Sequence, residues 1–359
     1  MNHLELIKTA IELNASDIHI APYAKPMLRI NGTLKAVDSY ETLSHEQVAE
    51  GVKELCNPEQ YDRLEEKGEV HFSFSLSEYG RFRVNIIKQR GTYSISIRIL
   101  KLTIPTREAL EIPNIMYELT AQGRGLILVS GASGSGRSTT MASLVQHLNE
   151  AECLNIITVE SPIEYLFKHG HSIVLQRDVG IDCDSIYEGI RSIMRHDPDV
   201  VMISDVSDEA ALELALQISE SGKLVIAGIP SINAVTTIES IIASAKPERR
   251  ENRKLKLASN LTGIIAQQLV PTISSNKRIL CYELLLNNTA IRSSILSEAF
   301  LEIRNTLIVG KKQGMTSMDF NLFERYSEKM INQETLYKFC QDLEFVKRLE
   351  RSAQKLEGL

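Results

Sequence analysis

The stretch Gly131-Ala-Ser-Gly-Ser-Gly-Arg-Ser-Thr139 constrains this chain more than any other. An apolar run, Gly125-Leu-Ile-Leu-Val-Ser130, leads into it, and a helix-like run from Thr139 to Leu148 leads out. Strand, glycine-rich loop and helix in that order are the context of a phosphate-binding P-loop. Small residues let backbone N–H groups curl around an anion, and the helix N-terminus adds its positive dipole end. Ser133, Gly134, Ser135, Gly136, Arg137, Ser138 and Thr139 are therefore the candidate phosphate-binding residues, with the Ser138 hydroxyl where a P-loop reaches Mg²⁺. A plain glycine-rich turn before an ordinary helix fits less well, because two correctly spaced glycines sit among small residues between strand and helix. One residue departs from the pattern. Arg137 stands where Lys is expected. It keeps the charge but replaces a compact ammonium with a planar fork.

A chain of 359 residues has room for two or three domains at roughly 100–200 residues each. The absence of a long apolar run argues against a transmembrane helix. The start, Met1-Asn-His-Leu-Glu-Leu-Ile, has neither the basic nor the apolar region of a secretory signal. Five scattered cysteines without ligand spacing read as reduced cytosolic thiols. A net charge of −6 gives no general footprint for nucleic acid, so none is expected as a partner.

The N-terminal hundred residues read as an α+β domain. Residues 3–14 have helical spacing, and Ala15 to Ile20 alternates. Met27 to Leu34 reads as a hairpin turning at Asn31-Gly32. Ser44 to Leu55 is a second helix, with Ser44 and Gln47 at capping-box positions. Strands follow at 70–76, 80–86 and 93–99. Pro105 and Pro113 mark a linker, since the residue before proline favours extended backbone. Arg81, Arg83 and Arg98 lie on these strands. Such arginines usually form a solvated face; the alternative is that they reach a phosphate bound by a neighbouring subunit.

Beyond the P-loop, Asn155 to Glu160 reads as a buried strand ending in an acid, followed by Ser161-Pro-Ile-Glu164. Asp197 to Asp205 reads as another apolar strand ending in an acid, a Walker B shape. Acids at the carboxyl ends of strands beside a P-loop are where metal–water contacts and a water-orienting base belong, so Glu160, Glu164 and Asp205 are the candidate catalytic residues. Strands alternating with helices predict a parallel sheet flanked by helices. From Arg249 onward the spacing is mostly helical, including single helices at 255–268 and 333–356, with a strand at 281–286. The charged stretch 246–254 reads as a solvated loop or helix face.

At this point the residues resemble a family, the secretion and type IV pilus ATPases, and within it the PilT/PilU-like retraction group. The likeness spans nearly the whole chain. Ala15-Ser-Asp-Ile-His-Ile20 is similar to the N-terminal signature, Gly80-Arg-Phe-Arg-Val-Asn85 to the arginine-bearing strands, and Glu160-Ser-Pro-Ile-Glu164 to the acidic box. Arg195-His-Asp-Pro-Asp-Val200 resembles the approach to Walker B, and Ala290-Ile-Arg-Ser-Ser-Ile-Leu-Ser-Glu298 the retraction motif. The resemblance implies an α/β fold: an N-terminal PAS-like α+β domain over 1–101, a linker over 102–118, and a RecA-like P-loop ATPase domain with C-terminal helices over 119–359. It implies ATP and Mg²⁺ as cofactors, and a homo-hexamer or a mixed assembly with a retraction ATPase paralogue. It further implies an inner-membrane pilus platform protein as partner, and a cytoplasmic, peripheral location at the inner-membrane base of the pilus.

The departures fall on reactive positions. Besides Arg137, Walker B ends in Ser204-Asp205 where the family has Gly-Glu, Ser207 replaces an Arg, and Lys223 and Pro230 replace the two histidines of the histidine box. The strands carrying these positions are intact, and phosphoryl transfer rests on positioning and charge. The expectation is an accessory twitching-motility subunit with weak or lost ATP hydrolysis; the alternative is a fully active hexameric retraction motor.

Overall fold

The computed structural model describes residues 3–30, 32–76, 79–100, 103–274 and 277–357. The chain divides into two compact units, Met1–Thr103 with Glu164–Leu166, and Ile104–Ile163 with Phe167–Leu359. Among the described residues, no helix is long and apolar enough to cross a membrane.

In the first unit, α1 (His3–Glu12) is followed by three short strands, β1 (Asp17–Ile20), β2 (Met27–Ile30) and β3 (Thr33–Ala36). Asn31 of the expected hairpin turn lies outside the described residues. Helices α2 (His45–Leu55) and α3 (Pro58–Lys67) precede β4 (Glu69–Leu76), β5 (Gly80–Gln89) and β6 (Thr92–Leu100). The sheet order is β3-β2-β1-β6-β5-β4, antiparallel throughout. Ser44 caps α2 in the expected capping box with Gln47. The sequence reading missed α3, although Asn57, Pro58 and Gln60 supply the same start signal. Only Leu64 of α3 is buried, so its apolar periodicity is faint. Alternation along β4 to β6 gathers Val70, Phe72, Phe82, Val84, Ile95 and Ile97 into one core.

The second unit opens with α4 (Arg107–Leu110) and α5 (Asn114–Thr120), two short helices in the proline-marked stretch. Met116 and Tyr117 of α5 are buried against the sheet core. The sheet then forms from β7 (Gly125–Ser130), β8 (Asn155–Glu160), β9 (Ile173–Asp178), β10 (Val200–Ile203), β11 (Leu224–Ile229), β12 (Leu261–Pro271) and β13 (Arg278–Leu286). Between them run α6 (Arg137–Ala151), α7 (Ile186–Ile193), α8 (Glu209–Glu220), α9 (Ala234–Ala243) and α10 (Arg250–Asn260). The order is β13-β12-β7-β11-β10-β8-β9; all pairs are parallel except β12 with β13. Leu126 to Val129 and Leu224 to Ala227 are fully buried, because helices cover both faces and each run must be apolar throughout. The chain ends in α11 (Thr289–Leu296), α12 (Phe300–Val309), α13 (Met318–Ser327), α14 (Gln333–Phe339) and α15 (Leu343–Glu357).

Three expectations are corrected. The helix expected over 255–268 ends at Asn260, and β12 begins at Leu261. Ile264 and Ile265 are buried on opposite faces of a sheet, where β-branched side chains pack well. The helix expected over 333–356 breaks between α14 and α15, where the buried Asp319 carboxylate accepts from the N–H groups of Gln341 (2.6 Å) and Asp342 (3.0 Å). The charged stretch 246–254 is not wholly solvated. Arg253 is 2% exposed and ion-paired to Glu213 at 3.0 Å, while the buried Lys254 meets Glu298 of the retraction-like motif at 3.2 Å.

Candidate functional site

The site is built where β7 gives way to α6. Gly131 leaves the strand so close to its neighbours that an added Cβ would lie 2.3 Å from Ser135 Oγ and 2.6 Å from the Gln267 carbonyl oxygen. Only glycine fits this approach. Gly136, with φ of 93°, turns the chain into α6 from the left-handed region, and no side chain caps that helix. Gln267 of β12 braces the loop, its Nε2 donating to the Ser135 carbonyl at 2.9 Å.

Around this loop, Ser130 Oγ, Ser135 Oγ, Gln267 Oε1 and Arg137 Nη1 are buried without a hydrogen-bond partner. Ser130, Ser135 and Gln267 are at most 5% exposed. Buried polar groups are nearly always paired, and each orphan costs about 1–3 kcal/mol. Several orphans around one glycine-rich loop describe a place prepared for a polar ligand, and a helix N-terminus beside them favours an anion. Ser133 and Gly134 are exposed at the loop tip, and Ser138 and Thr139 lie in the first turn of α6. A cavity of about 170 Å³ adjoins that turn, lined among others by Thr139, Thr140, Leu110, Ile112, Leu269 and Leu280.

Arg137 does not point out to solvent. Its Nη1 lies 3.5 Å from Asp205 Oδ2, at the carboxyl end of β10. The other Asp205 oxygen accepts from Ser207 N–H at 2.8 Å and from the Ser207 hydroxyl. The two departures at 137 and 205 are thus one contact, with a third, Ser207, completing it. Glu160 is buried at the end of β8, where its Oε1 accepts from Thr158 Oγ1 at 2.6 Å and Gln176 Nε2 at 3.1 Å. The ends of β8 and β10 are joined by Ser161 N–H donating to Ser204 Oγ at 2.9 Å. Glu164 groups with the first unit.

Lys223 falls elsewhere. It precedes β11, and its Nζ lies 3.4 Å from Asp197 and 3.8 Å from Asp199, at the amino edge of the sheet. Six residues of strand, about 20 Å, separate it from the loop edge. Its replacement of a histidine therefore does not touch the cradle directly. Pro230 follows β11 at the loop edge, and is exposed. In the first unit, Arg83 and Arg98 are cross-strand neighbours on β5 and β6, and Arg98 Nε donates to the buried Asp17 at 2.9 Å. Arg81 is opposite Leu100. Gln267 is a site residue that the sequence does not announce, because its segment has helical spacing yet lies on β12.

A strand, glycine-rich loop and helix at the carboxyl edge of a parallel sheet define an α/β protein of the class whose ligand crevices lie at the strand ends. Residues 3–329 match the family described as Type II/IV secretion system protein, and the chain belongs to that family. The resemblance read from the sequence is borne out. Type IV pilus ATPase PilU of Pseudomonas aeruginosa is 33% identical over 93% of this chain and 87% of that one. The crystal structure of the pilus retraction motor PilT with bound ADP matches with a TM-score of 0.91 at 36% identity, covering 97% of this chain and 99% of that one. The ATPase DotB of Legionella pneumophila, at 21% identity, shares the fold with a TM-score of 0.79 over 93% of this chain and 94% of that one.

Proposed function

We propose that this protein is an accessory subunit of the type IV pilus retraction machinery, one that binds ATP and hydrolyses it weakly or not at all. The observation that carries the reading is the Arg137–Asp205 contact beside an orphaned phosphate cradle. An acid that would orient the attacking water is occupied by the cation that opens α6. Removing one well-placed electrostatic contact costs on the order of a hundredfold or more in rate.

In this reading Ser133 to Thr139 wrap the phosphates, and the adjoining cavity takes the base. Glu160, Glu164 and Asp205 hold the catalytic positions, and Arg81, Arg83 and Arg98 act across a subunit boundary. The domains are a PAS-like region over 1–101, a linker over 102–118 and a RecA-like region over 119–359. The assembly is a hexamer, alone or mixed with a fully equipped retraction ATPase, seated in the cytoplasm against the inner-membrane platform of the pilus. Its relatives PilU and PilT, named for the pilus, support that setting. The Mg²⁺ expected with ATP would meet the Ser138 hydroxyl on the loop side, but the acid side does not fit it, because the Asp205 carboxylate is already engaged by Arg137 and Ser207.

Steady-state ATP turnover of the purified full-length protein tests the reading. The expected rate is below about 0.1 s⁻¹, a hundredfold under the usual enzyme median of roughly 10 s⁻¹. Turnover at an ordinary motor rate, abolished by Asp205→Ala, would refute it.

A further inference from the structure

We infer that the cradle binds nucleoside polyphosphate without a divalent cation, the Arg137 guanidinium supplying the counter-charge that a metal would otherwise bring. The inference rests on the nucleotide reading above and concerns the same site.

Arg137 opens α6, directly after the glycine-rich loop. Its side chain is 18% exposed, and its Nη1 is both buried and without a hydrogen-bond partner. A guanidinium in that state has donors to give, and its fork matches phosphate oxygens two at a time. Ser130, Ser135 and Gln267, more than nine-tenths buried, leave polar atoms unpartnered around the same loop. The cradle therefore has a positive centre in place before any ligand arrives.

The acid side points the same way. Magnesium is held through one or two carboxylates plus phosphate oxygens and waters, in near-ideal octahedral geometry. Asp205 has one oxygen committed to Ser207 and the other facing Arg137. A dication placed against that carboxylate would sit beside a guanidinium, and like charges at such range repel. Glu160 at the end of β8 already accepts from Thr158 and Gln176, and Asp178 at the end of β9 from the Ile163 N–H at 3.3 Å. One cation, built into the chain, balances Asp205; on nucleotide binding it turns its free donors to phosphate.

Calorimetric titration of the full chain with ATP, once in excess EDTA and once with millimolar Mg²⁺, reads this directly. The expected dissociation constants agree within about threefold, and Arg137→Ala weakens both by about tenfold or more, the scale of one charge-assisted contact. Asp205→Asn, which releases the guanidinium, is expected to keep or tighten binding in EDTA. Affinity at least about tenfold higher with Mg²⁺ than in EDTA overturns metal-free binding, while leaving nucleotide binding itself in place. Failure to bind ATP in either buffer overturns the nucleotide reading instead. The parent comparison decides the matter even where Arg137→Ala does not fold, which a thermal melt would show.

Discussion

Gly131→Ala is the sharpest probe of the cradle. The new methyl would lie 2.3 Å from Ser135 Oγ, 2.6 Å from the Gln267 carbonyl oxygen and 3.0 Å from Ser135 Cβ. Comfortable contact begins at about 3.5 Å, so something must move by roughly 1 Å. The Ser135 hydroxyl can rotate away. The Gln267 carbonyl cannot, because its strand is paired on both sides, with β7 at Ala266 and with β13 at Tyr282. The loop must therefore yield, stretching the 2.9 Å bond from Gln267 to the Ser135 carbonyl. Overpacking of this kind costs about 1–3 kcal/mol. In a unit of this size each kcal/mol lowers Tm by about 2–4 °C, so calorimetry should show a fall of about 2–12 °C. ATP affinity should fall by about tenfold or more, since the displaced segment is the one proposed above to wrap phosphate. Gly134→Ala is the control. Nothing lies within 4 Å of its added Cβ, and its φ of 79° charges only the left-handed penalty of about 1–2 kcal/mol. A Gly131→Ala protein with parental melting and parental ATP affinity would refute this account of the loop.

Other outcomes follow from contacts away from the cradle. Glu213→Ala leaves the buried Arg253 with Glu209 at 3.9 Å as its remaining carboxylate, beside the Ile241 carbonyl and Ser244 Oγ, and should cost about 3–5 kcal/mol in denaturant unfolding; Arg253→Ala leaves Glu213 its 2.9 Å partner Lys256 and should cost about 3 kcal/mol or less. The double variant should lose less than the sum. In the first unit, burial pushes the Asp17 carboxyl up, but the Ser16 hydroxyl and Arg98 outweigh it and hold it below the usual 3.8. A folded value below the unfolded one stabilises above pH 3.8 and is lost as pH falls through the folded value, so the stability gap between parent and Asp17→Asn should narrow in acid melts. Alkylation at pH 8 should label the exposed Cys153 first, whereas Cys281, pushed up to about 12 by burial, should react only on unfolding.

Much of the fold was legible because its signals are local. Ser44 and Gln47 cap α2 as their spacing requires, and the run Gly125 to Ser130 could only be a strand buried on both faces. Where the reading failed, the deciding partner was distant in sequence. The stretch 261–268 is strand because β7 and β13 flank it. The helix expected after Gln333 breaks because a carboxylate on α13, more than twenty residues earlier, takes two of its N–H groups. Arg253 looks like one more surface charge until Glu213 is placed against it.

The site divides along the same line. Glycine spacing announces a cradle, since backbone geometry is a local demand. The meaning of an altered residue is not local. Arg137, Asp205 and Ser207 read in sequence as three separate losses, yet in space they form one cluster, with Arg137 facing one Asp205 oxygen at 3.5 Å and Ser207 holding the other. Lys223 reads as a fourth, yet lies about 20 Å away at the opposite sheet edge, paired with Asp197 and Asp199. Here a longer, forked cation and a shorter acid meet across the gap between α6 and β10, so a change at either position alters the charge that faces the other, and Arg137→Lys alone would leave Asp205 as it is.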